Sequence, residues 1–184
     1  DEVSPADLGG LGWSGNEIGR HTIEHFSQDY VEVEPGIIAF LLYEPRDIDG
    51  VLTVGNTITE LTLKTGEQRQ VFSSYDLWGN YFGEEPDAEP WAGGNAIDFD
   101  AESGTYGAGF RQLDAIIEVD RESGEVGRQL GGPHSDFVFA DPASAPHQHH
   151  QFQWFDDGIL VFDNRESDEY SRVTEFSLTS ATAD

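Results

Sequence analysis

The sequence predicts an all-β fold made of three repeated antiparallel units. Three observations carry this. One hairpin pattern, apolar-x-Glu-apolar, recurs at Ile58-Thr59-Glu60-Leu61, Ile116-Ile117-Glu118-Val119 and Val173-Thr174-Glu175-Phe176. Its glutamates stand 58 and then 57 residues apart, a spacing expected when one supersecondary unit stacks on copies of itself. Each unit also has an acidic-x-Gly turn between two apolar runs, and no stretch shows a 3.6-residue apolar period.

Taken in order, residues 1–20 are Gly-rich and irregular. The first hairpin of each unit then turns at Glu34-Pro35-Gly36, Glu102-Ser103-Gly104 and Asp156-Asp157-Gly158. Glycine supplies a positive φ at little steric cost, so these are turns. The second hairpin turns at Lys64-Thr65-Gly66-Glu67 and Glu122-Ser123-Gly124-Glu125. Two hairpins give four short strands, and serial four-stranded units are the blades of a β-propeller. The units run about 21–75, 91–131 and 147–178 within a single domain, 1–184. Their linkers, 75–90 and 131–146, are acidic or Pro/Gly-containing and read as loops. The third unit stops after its third strand, and the N-terminal segment is a candidate for the fourth. Three blades do not surround a channel. Either this is a partial propeller, or two chains form a homodimer that closes a six-bladed ring. A β-sandwich is the alternative, since short strands at this spacing suit it too.

Charge narrows the partners. The chain has 9 Lys+Arg against 36 Asp+Glu, a formal charge of −27. Lys64 is its one lysine. Nucleic acid and anionic membrane would be repelled, so neither is expected as a partner. Such a surface resembles that of halophilic archaeal proteins, in which salt screens self-repulsion. The 4 Trp, 6 Tyr and 12 Phe argue for a packed core rather than an acidic disordered chain. With no Cys, no thiolate nucleophile, zinc–thiolate site or disulfide is available. The chain opens at Asp1 without an initiator Met, as after processing or trimming.

Aligned on the first-hairpin glycine, polar residues fall at matching places. Asn95 and His149 each lie nine residues before that glycine, and His25, Gly93 and His147 each lie eleven before it. In a propeller such residues would converge on the channel. Satisfying local backbone groups is the plainer role for each. His147-Gln148-His149-His150 is the densest cluster, suited to metal binding or to base or nucleophile chemistry. On a strand His147 and His149 would share a face. Arg111 stands alone among cations between Arg69 and Arg121 and could clamp a sulfate, phosphate or carboxylate, or pair with an acidic neighbour.

In order, HTIEHFSQDYVEVEPGIIAFLLYEPRDIDG, VGNTITELTLKTGEQRQVFSSYD, WAGGNAIDFD, FRQLDAIIEVDRESGEVGRQLGG, QHHQFQWFDDGILVFDNR and SRVTEFSL resemble the pattern of the arylsulfotransferase family. The resemblance spans roughly residues 21–178. It implies a six-bladed propeller that moves a sulfuryl group between phenols through a sulfated histidine, without a nucleotide donor. No cofactor is then required. The ligands would be a small aromatic sulfate and a phenol, and the location extracellular or at the cell surface. The nucleophilic histidine matches His149, the sulfate-binding arginine Arg111, and the asparagine of His-x-Asn matches Asn95. The upstream histidine, which could protonate the leaving phenolate, matches His25. The pattern departs at Gly93, where the family has histidine, at Gly109, where it has serine, and at Gly127-Arg128, where a tryptophan is expected. Two other classes of function fit the same chain. One is a non-catalytic propeller binding an anionic or aromatic ligand, or a structural Ca2+ through carboxylate oxygens. The other is a structural assembly module.

Overall fold

The computed structural model describes residues 6–11, 17–79, 91–155, 158–165, 170–178 and 182–183. β1 (Ala6–Leu11) and β2 (Glu17–Ile23) form an antiparallel pair. β3 (Phe26–Glu34), β4 (Ile37–Ile48), β5 (Val51–Thr62) and β6 (Glu67–Ser73) make the first four-stranded sheet, in that order. A short helix, α1 (Ser74–Trp78), follows. β7 (Gly94–Asp100), β8 (Thr105–Phe110), β9 (Ala115–Asp120) and β10 (Val126–Leu130) make the second. β11 (Val138–Phe139) precedes the third sheet, which consists of β12 (Gln151–Phe155), β13 (Gly158–Asp163) and β14 (Arg172–Ser177). β15 (Thr182–Ala183) pairs in parallel with β11. All neighbours within the three large sheets are antiparallel.

The fold is all-β and propeller-like, and each large sheet is a blade. The first two have four strands. Among the described residues the third has three, with β14 at its edge. The N-terminal segment, a candidate for the missing fourth strand, pairs with itself as β1–β2. The turn expected at Asp156-Asp157 lies outside the described residues, as does 80–90 of the first linker.

The structure differs from the sequence reading in several places. Residues 6–11 and 17–23, largely within the stretch read as irregular, form β1 and β2, and the second linker, read as loop, holds β11 and a 3-10 turn at Pro142–Ser144. The first linker is not all loop. Ser73 caps α1, its side chain accepting from the Tyr75 N–H at 3.3 Å, and Gly79 ends it at φ 58°. Tyr75 and Trp78 anchor the helix by burial. β4 and β5 join through Asp49-Gly50, both at positive φ (55° and 84°), a two-residue turn that matches strand twist. In the second blade the same link is a 3-10 turn, Arg111–Leu113, ended by Asp114 at φ 52°.

Blades stack face to face because residues alternate along each strand. Ala39, Leu41, Ile58 and Phe72 of the first blade meet Ile97, Tyr106, Phe110 and Ile117 of the second. The opposite face of the second blade, with Ala96 and Ile116, meets Phe152, Ile159, Val161 and Phe176 of the third. Leu8 and Ile23 of the β1–β2 pair cover Phe40 and Leu61 on the remaining face of the first blade. The first strands β3, β7 and β12 run side by side. Ser27 donates to the Gly94 carbonyl at 2.6 Å, and the Ile97 N–H donates to Asp29 at 3.1 Å. Glu60 ties the first two blades. It accepts from Tyr106 Oη at 2.6 Å, Arg121 Nε at 2.8 Å and Arg69 Nη2 at 3.0 Å.

Candidate functional site

Asn95, Arg111 and His149 gather where the second blade meets the third. Asn95 sits at a register shift between β7 and β8, flanked by Gly94 and Ala96. A bulge of this kind re-aims a side chain. Its Nδ2 donates to the His149 carbonyl at 2.8 Å, across the blade boundary. Arg111 opens the turn after β8, and its Nη2 donates to Gln148 Oε1 at 3.1 Å. The Arg111 N–H donates to the Gly93 carbonyl at 2.9 Å, which fixes that turn against the strand start.

The His149 side chain is fully enclosed, at 0% exposure. Its space comes from β8. A Cβ on Gly109 would lie 2.8 Å from His149 Nε2, and one on Gly107 would collide with Trp154 Nε1. Neither ring nitrogen of His149 has a hydrogen-bond partner among the described residues. Burial drives its pKa down to about 3, with help from the His150 and Arg111 charges. The imidazole is therefore neutral at physiological pH, with at least one lone pair uncommitted.

His147 and His149 do not share a strand face. They precede β12, and Gln148 between them adopts φ 51°. Asp114 stabilises that corner. Its Oδ1 accepts from the Gln148 N–H at 2.6 Å, and its Oδ2 lies 2.9 Å from His147 Nδ1. The His147 N–H donates to buried Asp163 at 2.9 Å. Sequence reasoning missed this Asp114–His147 pair. Nothing local marks it, because 33 residues separate the partners. Beside it opens a cavity of about 530 Å³, lined in part by Leu113, Asp114, Phe137 and Pro146.

His25 stands apart. It lies exposed on the turn between β2 and β3 at φ 58°, and its carbonyl accepts from the Tyr43 N–H at 2.7 Å. No described contact joins its ring to His149. The glycine at 93 has a local reason. Its φ is 65°, and a Cβ there would lie 2.5 Å from Gln112 Cγ, so a histidine would displace the turn that carries Arg111. Among the described residues no group of three or more His, Cys, Asp or Glu side chains is arranged to hold a metal ion.

A scan against protein-family models found no match, and a search of curated proteins found none. Two solved structures match the chain with TM-scores below 0.5. A chain in a crystal structure titled as the mitotic checkpoint complex is 8% identical, with a TM-score of 0.43. The match covers 87% of this chain and 40% of that one. A protein of unknown function from Bacteroides caccae is 14% identical over 98% of this chain and 72% of its own, with a TM-score of 0.39. At these scores neither likeness bears on function.

Proposed function

We propose that this chain transfers sulfuryl groups between phenolic compounds, with His149 as the group-carrying nucleophile. One observation carries the reading. A neutral, desolvated imidazole with unpartnered nitrogens lies beside an arginine and an asparagine. In the proposed reaction an imidazole nitrogen attacks sulfur, and the bond from sulfur to the aryl oxygen breaks toward the phenolate. Arg111 and Asn95 Nδ2 hold sulfuryl oxygens where charge must be stabilised. The second phenol then attacks sulfur and the imidazole leaves. Asn95 is committed to the His149 carbonyl at rest, so this role needs it to exchange partners.

Proton exchange with the phenols falls to a second histidine. The resemblance assigns His25. The geometry favours His147, because Asp114 on Nδ1 orients the ring and leaves Nε2 for proton transfer. The cavity beside Asp114 has a volume in the range of small-ligand sites, but Asn95, Arg111, His147 and His149 are not among its lining residues.

The experiment is direct. Incubation with an aryl sulfate in molar KCl, followed by rapid mass spectrometry, should show phenol release and a sulfated peptide containing His149. The adduct should vanish in His149→Ala. His147→Ala should slow turnover more than His25→Ala. Wild type that releases no phenol and forms no adduct would overturn the reading. The full enclosure of His149 favours a second reading, a binding module without turnover. Saturable binding of an aryl sulfate without phenol release would select it.

A further inference from the structure

We propose that the free edge of β14 accepts strand β2 of a second copy of this chain, so that Arg20 of one copy meets Glu175 of the other. This goes beyond the sulfuryl-transfer reading and does not rest on it.

Two of the three repeated glutamates pair with an arginine across the neighbouring strand. Glu60 lies directly opposite Arg69 of the fourth strand, with Nη2 and Oε1 3.0 Å apart. Glu118 lies directly opposite Arg128 of its fourth strand, with Nε and Oε2 2.6 Å apart. Glu175 is the third copy. It is exposed on β14, and no strand lies beyond β14 among the described residues. The cross-strand arginine that its two counterparts have is missing.

The chain carries a strand of the right kind. The fourth strand of the second blade, with the residue before it, reads Glu125-Val126-Gly127-Arg128, and β2 begins Glu17-Ile18-Gly19-Arg20. In each the arginine meets an acidic residue of the neighbouring strand. In β2 that residue is Asp7 of β1, 3.0 Å from Arg20. β1 thus occupies, within one chain, the place that β14 would take between chains. The Arg20–Asp7 ion pair is the most exposed of these arginine–carboxylate pairs. Both of its side chains are about half exposed, at 53% and 49%, where such pairs contribute little.

Packing points the same way. β2 already rests on the outer face of the first blade, with Ile23 against Phe40 and Leu61. The outer face of the third blade leaves Leu160, Phe162 and Val173 exposed. A β2 donated to β14 would bring those three residues onto the first blade of the second copy. Reciprocal exchange would do this twice about a two-fold axis. Both β14 edges would be paired and both bare outer faces covered, with β1 released from β2 in exchange.

The chain has no cysteine, which makes the test clean. Arg20→Cys and Glu175→Cys are prepared separately and mixed in molar KCl under mild oxidation. A disulfide-linked dimer should form in the mixture and in neither variant alone. Wild type should scatter light as twice 20.3 kDa at micromolar concentration. Arg20→Glu and Glu175→Arg should each weaken the dimer at least about tenfold, and the double variant should recover it, as expected for a close charge pair. Circular dichroism on each variant reports that it still folds. A monomeric wild type would overturn the proposal. So would a dimer whose mixed variants do not cross-link, or single variants that cross-link with themselves as readily.

Discussion

Glu60→Gln tests what holds the first two blades together. Burial alone would raise the Glu60 pKa, but hydrogen bonds from Arg121, Tyr106 and Arg69 outweigh it and bring it from 4.5 to about 2. The difference of about 2.5 units corresponds to about 3 kcal/mol at ~1.4 kcal/mol per unit. An independent route agrees, since removing one partner of a buried ion pair costs about 3–5 kcal/mol. The folded pKa is depressed, so the contribution is full above about 4.5 and disappears as pH falls through about 2. Urea unfolding in molar KCl should therefore show Glu60→Gln about 3 kcal/mol less stable near neutral pH. That corresponds to a Tm about 6–12 °C lower for a chain of this size. The gap should close toward about pH 2. A variant within about 1 kcal/mol of wild type at neutral pH, or a gap that acid does not change, would refute the reasoning.

Two further outcomes follow from charge and burial. At a formal charge of −27 the melting temperature should rise steeply from dilute buffer to molar KCl, and calorimetry showing no rise would contradict the self-repulsion argument. The unfolded chain protonates His149 near pH 6.5, while the folded chain resists until about 3, so His149 makes stability fall across that window as pH drops. The slope approaches about 1.4 kcal/mol per pH unit. His149→Asn should flatten the stability curve between about pH 6 and 4, and curves that stay parallel would place His149 in water.

The blades were legible because their determinants are local. Glu102-Ser103-Gly104, Lys64-Thr65-Gly66 and Glu122-Ser123-Gly124 write their turns within a few residues, and the strands between them alternate. What escaped depends on partners distant in sequence or on a single cap. α1 needs Ser73 as cap and buried places for Tyr75 and Trp78. Asp49-Gly50 was hidden inside a long apolar and acidic run. β11 and β15 meet across more than 40 residues, and no periodicity records that. At the site, residue counting placed Asn95 and His149 at equivalent positions, and the Asn95 side chain reaches the His149 carbonyl. It failed for the faces of His147 and His149, because Asp114 bends Gln148 into a left-handed conformation. It also gave His25 an equivalence in position that its exposed turn does not turn into contact.

Glu60 and His149 are both buried and titratable, yet they are built in opposite ways. Glu60 is saturated. Three donors from two blades converge on its carboxylate, and an acceptor so fully committed has no capacity left for a ligand. Its place in the fold is mechanical. The His149 ring is fully enclosed against Gly109, and neither ring nitrogen is engaged among the described residues. Leaving a buried polar atom unpaired costs about 1–3 kcal/mol, which an aromatic hydrocarbon side chain in the same space would avoid. The fold carries that cost beside Arg111, whose charge would favour an anion there. An uncommitted lone pair next to a guanidinium is the combination that electrophilic, anionic sulfur esters require. Glu60 has no such combination, for all its burial, so the proposed sulfuryl transfer belongs to the second blade boundary and not to the first.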